Sequence, residues 1–293
     1  TKKPVESKGP EAHYSFKDSF LTEEAQNSTT DRNLLNTTST QWKTIENLPE
    51  FVRTKISALG EIAYKKGFRN FEFSNDDLED NLPKEKPCEN EQGIIYQGSW
   101  KSKLQHGKGE QYWPDGSYYI GHWRKGKPHG RGRYYAADGS IYDGEWKEGI
   151  KHGQGKLVLE NGIQYEGQWV NGEKEGKGIE KSLDGEYIGE FKAGKKHGKG
   201  TFKWNDKRQY DGEWNNDLMH GKGVFYWPDG KKYLGEFKEG RRSGYGSFAY
   251  TDGRLYEGQW KDEKQDGPGV MKYPDGTEKQ GVWKNGSVVE WTG

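Results

Sequence analysis

Five histidines share one setting, each directly before Gly-x-Gly: His106, His129, His152, His197 and His220. Imidazole is the commonest metal ligand and the side chain that exchanges protons near neutral pH, so a row of five invites a metal centre. Their spacing excludes a shared ion. Neighbours are at least one two-strand unit apart, or ~10 Å, whereas a zinc ligand lies ~2 Å from its ion. Hydrogen bonding in a turn is the main reading left for them, with a metal site made between two chains as the minor one. The segment Gly194-Lys195-Lys196-His197-Gly198-Lys199-Gly200-Thr201 has the composition of a phosphate-binding loop. Its spacing fails, and the strand that should follow it offers no helix terminus to a phosphate. No Ser/His/Asp group or carboxylate pair rises above the background of 46 Lys+Arg and 46 Asp+Glu. Cys88 is the one cysteine, which excludes an internal disulfide framework and fits a reducing cytoplasm. No catalytic residue, cofactor or metal is expected, and the chain reads as no enzyme.

The histidines belong to a larger period. Tyr recurs at Tyr96, Tyr119, Tyr142, Tyr165, Tyr187, Tyr210, Tyr233 and Tyr256, in steps of 23 residues with a single step of 22 between Tyr165 and Tyr187. Gly follows two residues after each, and a large ring two further on: Trp100, Trp123, Trp146, Trp169, Phe191, Trp214, Phe237 and Trp260. A partial ninth copy, Lys279-Gln280-Gly281-Val282-Trp283, ends the series. Side chains at i, i+2 and i+4 share one face of a strand. The His-Gly-x-Gly element opens a second strand, in which Gly107, Gly109, Gln111 and Trp113 share a face; later copies place Phe202 and Trp204, Phe225 and Trp227, Phe248 and Tyr250, and Met271 and Tyr273 there. That strand ends in Asp-Gly or Asn-Gly, a strong hairpin signal, except at Asp206-Lys207; the turn before Gly185 is one residue short, which predicts a local kink.

Glycine numbers 43, about twice its usual share, and Trp 12. Paired glycines leave a trough into which rings of the neighbouring strand fit. Each such Gly costs roughly 0.5–1 kcal/mol, while burying one ring removes ~150–250 Å² from water at about 25 cal/mol per Å², so ring burial outweighs it. Eight hairpins spaced ~4.8 Å per strand predict a sheet roughly 75–80 Å long in which no repeat is stable alone.

Residues 1–46 are rich in Ser, Thr, Asn and charge and read as an extended or disordered arm. The segment 47–67 reads as a helix, opening at Asn47-Leu48-Pro49-Glu50, with Val52, Ile56, Leu59 and Ala63 at helical spacing and Gly67 as a stop. Its stripe either caps the edge of the first repeat or binds a partner. Residues 68–92, with Asp76, Asp77, Glu79 and Asp80, read as an acidic linker, 93–286 as the repeat array and 287–293 as a tail. Val288, Val289 and Trp291 are candidate end contacts, through which a homodimer would pair edge to edge.

Tyr142-Asp143-Gly144-Glu145-Trp146-Lys147-Glu148-Gly149 followed by His152-Gly153-Gln154-Gly155 shows the unit in full. It resembles the membrane occupation and recognition nexus (MORN) repeat family, and the resemblance covers residues 94–286. Glu175 and Ser243 at the His position, Asp266 in the eighth copy and Lys279 for the final Tyr depart from it. The resemblance implies an all-β fold, an elongated antiparallel sheet of about eight hairpins with an aromatic-lined groove, preceded here by the arm and short α-helix. It implies no single activity. Such repeats occur in ciliary and flagellar spoke components, junction scaffolds and parasite cytoskeletal proteins, and beside lipid kinase or lysine methyltransferase domains, for which the remaining residues are too few.

The expectation is therefore a non-enzymatic scaffold that binds other proteins of a large assembly, in a radial-spoke-like position in an axoneme or in another cytoskeletal structure. The ring stripe of Tyr96, Trp100, Tyr119, Trp123, Tyr142, Trp146, Tyr165, Trp169, Tyr210, Trp214, Tyr233, Tyr256 and Trp260 is either core or a partner groove, and the two readings overlap. A net charge of zero argues against nucleic acid. A membrane tether using Lys195-Lys196 or Arg241-Arg242 is the alternative. A cell-surface carbohydrate or choline binder is a third reading, against which the His-Gly-x-Gly element and the absent apolar leader argue. Asn27-Ser28-Thr29 and Asn36-Thr37-Thr38 match the glycosylation pattern by chance on this view.

Overall fold

The computed structural model describes residues 41–73 and 82–293. They form one open antiparallel sheet of 20 strands, each hydrogen-bonded to the next along the chain, and one α-helix. The acidic residues Asp76, Asp77, Glu79 and Asp80 and residues 1–40 lie outside the described residues.

Two kinds of turn alternate along the sheet. Within each repeat, strands such as β3 (Ile95–Lys101) and β4 (Leu104–Tyr112) are joined by two residues that are both left-handed, as at Glu148 (φ 52°) and Gly149 (φ 83°). That geometry matches strand twist and favours Gly or Asn. The N–H of the second turn residue donates to a carbonyl of the preceding repeat: Gly126 to Gln105, Gly149 to Pro128, Gly172 to Lys151. Between repeats the chain turns at Asp-Gly, where the Asp carboxylate accepts the N–H two residues on, as from Ser117 to Asp115 at 2.9 Å and from Arg254 to Asp252 at 3.1 Å. Lys207 keeps this turn without glycine, at φ 71°.

The second strand begins earlier than the His-Gly-x-Gly element suggests, at Leu104 rather than His106. The element itself is a bulge. Glu145 pairs with His152 while its neighbour Gly144 pairs with Gly155, so two extra residues are accommodated. An even number of extra residues preserves the alternation of faces, and Gly153 at φ 59° carries the bend. Glu145 closes it by accepting the N–H of Gln154 at 2.9 Å.

The histidines serve the neighbouring repeat. The Nδ1 atoms of His106 and His129 lie 3.5 Å from the N–H groups of Lys125 and Glu148, in the next two-residue turn. Where the sequence departs from His, Glu175 accepts from Ala193 at 3.0 Å and Asp266 from Asn285 at 3.1 Å. A carboxylate thus performs the same acceptor role as the imidazole at these positions.

Helix α1 (Glu50–Lys65) lies within the 47–67 segment and ends where Gly67 turns left-handed (φ 79°) and the Phe68 N–H reaches back to the Ala63 carbonyl. Its apolar stripe packs on the face of the sheet rather than on the edge of the first repeat. Val52, Leu59 and Ala63 are buried and Ile56 half-buried against Ile95, Tyr112, Tyr118, Tyr135, Ile141 and Val158, which belong to the first three repeats on the face opposite the ring stripe. Lys66 secures the helix end by donating to the carbonyls of Gly139 and Leu159 at 2.9 and 3.2 Å.

The described parts of the 1–46 and 68–92 segments each contribute a short strand. β1 (Trp42–Thr44) pairs with β2 (Cys88–Asn90), and β2 pairs with β3, so the edge of the first repeat is covered by strands. The tail likewise holds a strand, Ser287–Trp291, which pairs with Glu278–Lys284.

Opposed glycines keep the sheet thin where Tyr crosses it. A Cβ on Gly144 would lie 2.6 Å from both Gly155 Cα and Tyr142 Oη, whereas a Cβ on the turn residue Gly162 (φ 87°) would meet nothing within 4 Å. Gly144→Ala is therefore expected to cost about 3 kcal/mol or more, Gly162→Ala about 1–2 kcal/mol, and Lys207→Gly to gain about 1 kcal/mol. Calorimetric melting of the three variants checks this order.

Candidate functional site

The ring stripe is the interior of the molecule. Each repeat Tyr from Tyr96 to Tyr256 is 0–1% exposed and lies over the glycine pair of its own hairpin, so the ring over the first glycine comes from the same strand. Its hydroxyl donates to the carbonyl three residues on, as Tyr142 to Glu145 and Tyr165 to Gln168 at 3.0 and 2.9 Å. Burial holds these phenols above their ordinary pKa, so they remain neutral donors.

Each Tyr meets two rings edge-on. Tyr142 contacts Trp146 of its own repeat at 5.0 Å and Trp169 of the next at 5.3 Å; Tyr210 contacts Trp214 at 5.2 Å and Phe237 at 5.0 Å. Edge-to-face pairs add about 0.5–1.5 kcal/mol beyond area burial. The zigzag is unbroken from Trp42 on β1, 5.5 Å from Trp100, to Trp291, 5.6 Å from Trp283. The indole N–H groups of Trp146, Trp169, Trp214 and Trp260 donate to the carbonyls of Gly132, Gly155, Gly200 and Gly246 in the preceding repeat. Of the candidate groove residues, Tyr96, Tyr119, Trp123, Tyr142, Trp146, Tyr165, Trp169, Tyr210, Trp214, Tyr233, Tyr256 and Trp260 are buried and Trp100 is half-buried, which makes the row core rather than open groove.

A second row on this face escapes the motif reading. The residue before His, counted as turn, points inward because the bulge preserves alternation: Gln105, Pro128, Lys151, Lys174, Lys196, Met219, Arg242 and Gln265. Ring faces receive the cations. Lys151 stands 5.6 Å from Trp169, Lys174 5.3 Å from Tyr165, Lys196 5.6 Å from Tyr187 and Arg242 4.6 Å from Trp260. Six residues after each comes the side chain facing it. Most of these are apolar, as Phe225 after Met219, but Glu180 follows Lys174 and Gln111 follows Gln105. Buried Glu180 bonds Lys174 at 2.6 Å and Lys196 at 2.5 Å. Burial pushes its carboxyl up, and the ammonium groups of Lys196 and Lys174 outweigh that and hold it below the ordinary carboxylate range.

On the opposite face, Phe68, Phe71 and Phe73 extend α1 across the sheet. Arg133 lies 5.1 Å from the Phe68 ring and Lys108 5.5 Å from the Phe73 ring, while Asp143 is held by Arg131 and Arg133, each at 2.6 Å. A cleft of about 430 Å³ opens there between Phe68, Phe71 and the charged strand residues. The end contacts are exposed, Val288 at 38%, Val289 at 64% and Trp291 at 46%, with Val288 paired opposite Trp283. Among the described residues no group of three or more His, Cys, Asp or Glu could hold a metal ion, and no helix is long and apolar enough to cross a membrane.

Removing Glu180 alone takes the nearest carboxylate from two inward ammonium groups, leaving Lys174 without that partner and Lys196 with only Asp217 at 4.0 Å. Glu180→Leu is expected to cost about 3–5 kcal/mol. Lys174→Met with Glu180→Phe and Lys196→Met copies the Met219 and Phe225 arrangement and is expected to be neutral or stabilising. Because the folded pKa of Glu180 is lowered, its stabilisation is present above the ordinary carboxylate range and is lost as pH falls through the folded value. Denaturant melts from pH 7 to pH 2 are expected to show a smaller acid loss in the triple variant.

Among solved structures, the chain is similar to the TCP10 domain of Danio rerio CPAP (12% identity, TM-score 0.38, covering 69% of this chain and 96% of that one). It is also similar to the G-box domain of the microcephaly protein CPAP (12%, 0.38, 60% and 94%). A third is the TCP domain of Drosophila melanogaster SAS-4 in complex with a proline-rich motif of Ana2 (10%, 0.26, 61% and 85%). No curated protein matches as a relative. The family model described as MORN repeat matches at residues 96–118, 119–141, 142–164, 165–186, 187–207, 210–232, 233–253 and 256–278. Those eight matches hold every repeat Tyr and its partner ring from Tyr96 to Trp260, and the chain belongs to the MORN repeat family.

Proposed function

We propose that the chain is a non-enzymatic scaffold that binds other proteins of a large cytoskeletal assembly, with a radial-spoke-like place in a ciliary axoneme as the specific form. The observation that carries this reading is the continuous ring spine. It joins eight repeats into one body whose outward side chains recur at a fixed spacing, which suits a surface read by elongated partners. Family membership supports a protein-binding or membrane-associated repeat protein.

The membrane-tether alternative draws on Lys195-Lys196 and Arg241-Arg242. Lys196 is turned inward onto Glu180, Arg241 lies 3.3 Å from Asp262 and Arg242 2.8 Å from Glu263. Paired cations attract anionic headgroups weakly. A choline-binding reading meets a similar obstacle, since Lys151, Lys174, Lys196 and Arg242 already stand over the spine rings.

In-cell cross-linking of a tagged chain, read by mass spectrometry, is expected to join the array to cytoskeletal proteins. A diffuse cytosolic distribution with no such cross-link overturns the proposal. Salt-sensitive flotation with anionic liposomes would transfer support to the tether.

A further inference from the structure

On the ring face, outside the buried spine, the second strands of repeats five to eight end in four half-buried rings: Trp204, Trp227, Tyr250 and Tyr273. The equivalent residues of repeats one to four are Trp113, which is buried, then Ala136, Leu159 and Ser182, so the accessible row begins only after the short repeat. Each outer ring leans on the layer beneath. Trp204 packs on Phe202 at 4.6 Å and Phe225 at 5.4 Å, and Trp227 on Phe225 at 4.4 Å and Phe248 at 5.4 Å. The rings are thus held at repeat spacing.

We propose that this row is a docking groove for a polyproline II segment bearing an apolar residue, proline foremost, at every third position. The inference rests on the protein-binding reading above and names its partner chemistry. Two strands at ~4.8 Å set the rings ~9.6 Å apart. Three residues of polyproline II advance ~9.3 Å and return to the same side of the helix. A segment crossing the strands presents one residue to each ring and drifts by only ~1 Å across all four. A β-strand, at ~3.3 Å per residue with period two, returns to the same side every ~6.6 Å and meets only every second ring in register. Indole and phenol rings combine a flat apolar face with a polar tip, the combination by which aromatic-lined grooves hold proline-rich segments.

Charge selects the same ligand. Cations stand over these rings, Arg208 5.2 Å from Trp204, Arg242 5.6 Å from Trp227 and Arg254 5.0 Å from Tyr250. Each is neutralised within the chain, Arg208 by Asp206 at 2.7 Å, Arg242 by Glu263 at 2.8 Å and Arg254 by Asp252 at 2.8 Å. Lys279 stands 5.7 Å from Tyr273 and its charge is felt by the Asp275 carboxylate, so along the row each cation has an acidic counterpart and the row complements an uncharged face.

Fluorescence anisotropy with the full chain tests the proposal, using a labelled decapeptide with proline at positions 1, 4, 7 and 10 and alanine elsewhere. The control peptide has the same composition with proline at 1, 3, 6 and 8. The spaced peptide is expected to bind at least about tenfold more tightly, and Trp204→Leu and Trp227→Leu each to weaken it about tenfold, with Tyr226→Ser on the opposite face without effect. Equal affinity for the two peptides, no binding at 1 mM, or binding unchanged in either Trp variant overturns the inference. The comparison of peptides on the unmodified chain stands even if a variant misfolds. Cytoskeletal cross-links to the array without peptide binding would sink this inference alone; absence of cross-links bears on the scaffold reading.

Discussion

A phenol lying flat on two opposed glycines is the contact on which the rest of this fold depends. It needs bare backbone on both strands, since any Cβ at Gly144 would meet the ring or the facing Cα. The cost of two glycines per hairpin in chain entropy is offset by a ring that is wholly removed from water, touches the rings of two repeats and satisfies its own hydroxyl on the backbone. Because each Tyr bridges its own Trp to the next, the stabilising unit is the junction between hairpins. Such an array melts through its interfaces, and its ends matter more than its middle. Trp42 on β1 and Trp291 on the last strand extend the zigzag beyond the repeats at those ends.

The hairpin array was legible because every link in it is local. Tyr, Gly and Trp at i, i+2 and i+4, a two-residue turn and Asp-Gly all report on neighbours a few residues away. The helix was legible by its stripe, but a stripe does not say what covers it. Ile95, Tyr118, Ile141 and Val158, which cover it, alternate with ring-face residues and look like ordinary strand positions until the docked face is known. β1 and β2, at three residues each, are too short to show a period. The inward cations were hidden for a different reason. Lys before His reads as a solvated turn residue unless the strand is started two residues earlier, which the two-residue turn before it would have allowed.

Buried charge in so apolar a row has a physical tension. Lys174, Glu180 and Lys196 occupy positions that Met219 and Phe225 fill with apolar side chains in another repeat. The cations are tolerated because ring faces and one carboxylate replace the water they lose. Arg242 takes the same solution with rings from two layers around it and Glu263 from the next turn. The histidine row shows the converse economy: His106 and His129, suited to proton chemistry, are spent as acceptors for turn N–H groups, a task that Glu175 and Asp266 also perform.

The one repeat of 22 residues, with its turn closed by Ser182 and Gly185, interrupts an otherwise uniform translation. A perfectly periodic surface has no origin: a partner of matching pitch could shift by one unit at no cost and would occupy a family of equivalent positions. A single missing residue removes that degeneracy. It acts as a datum mark from which the outer rings can be counted in one direction, so a molecule made of near-copies still has one address for each site.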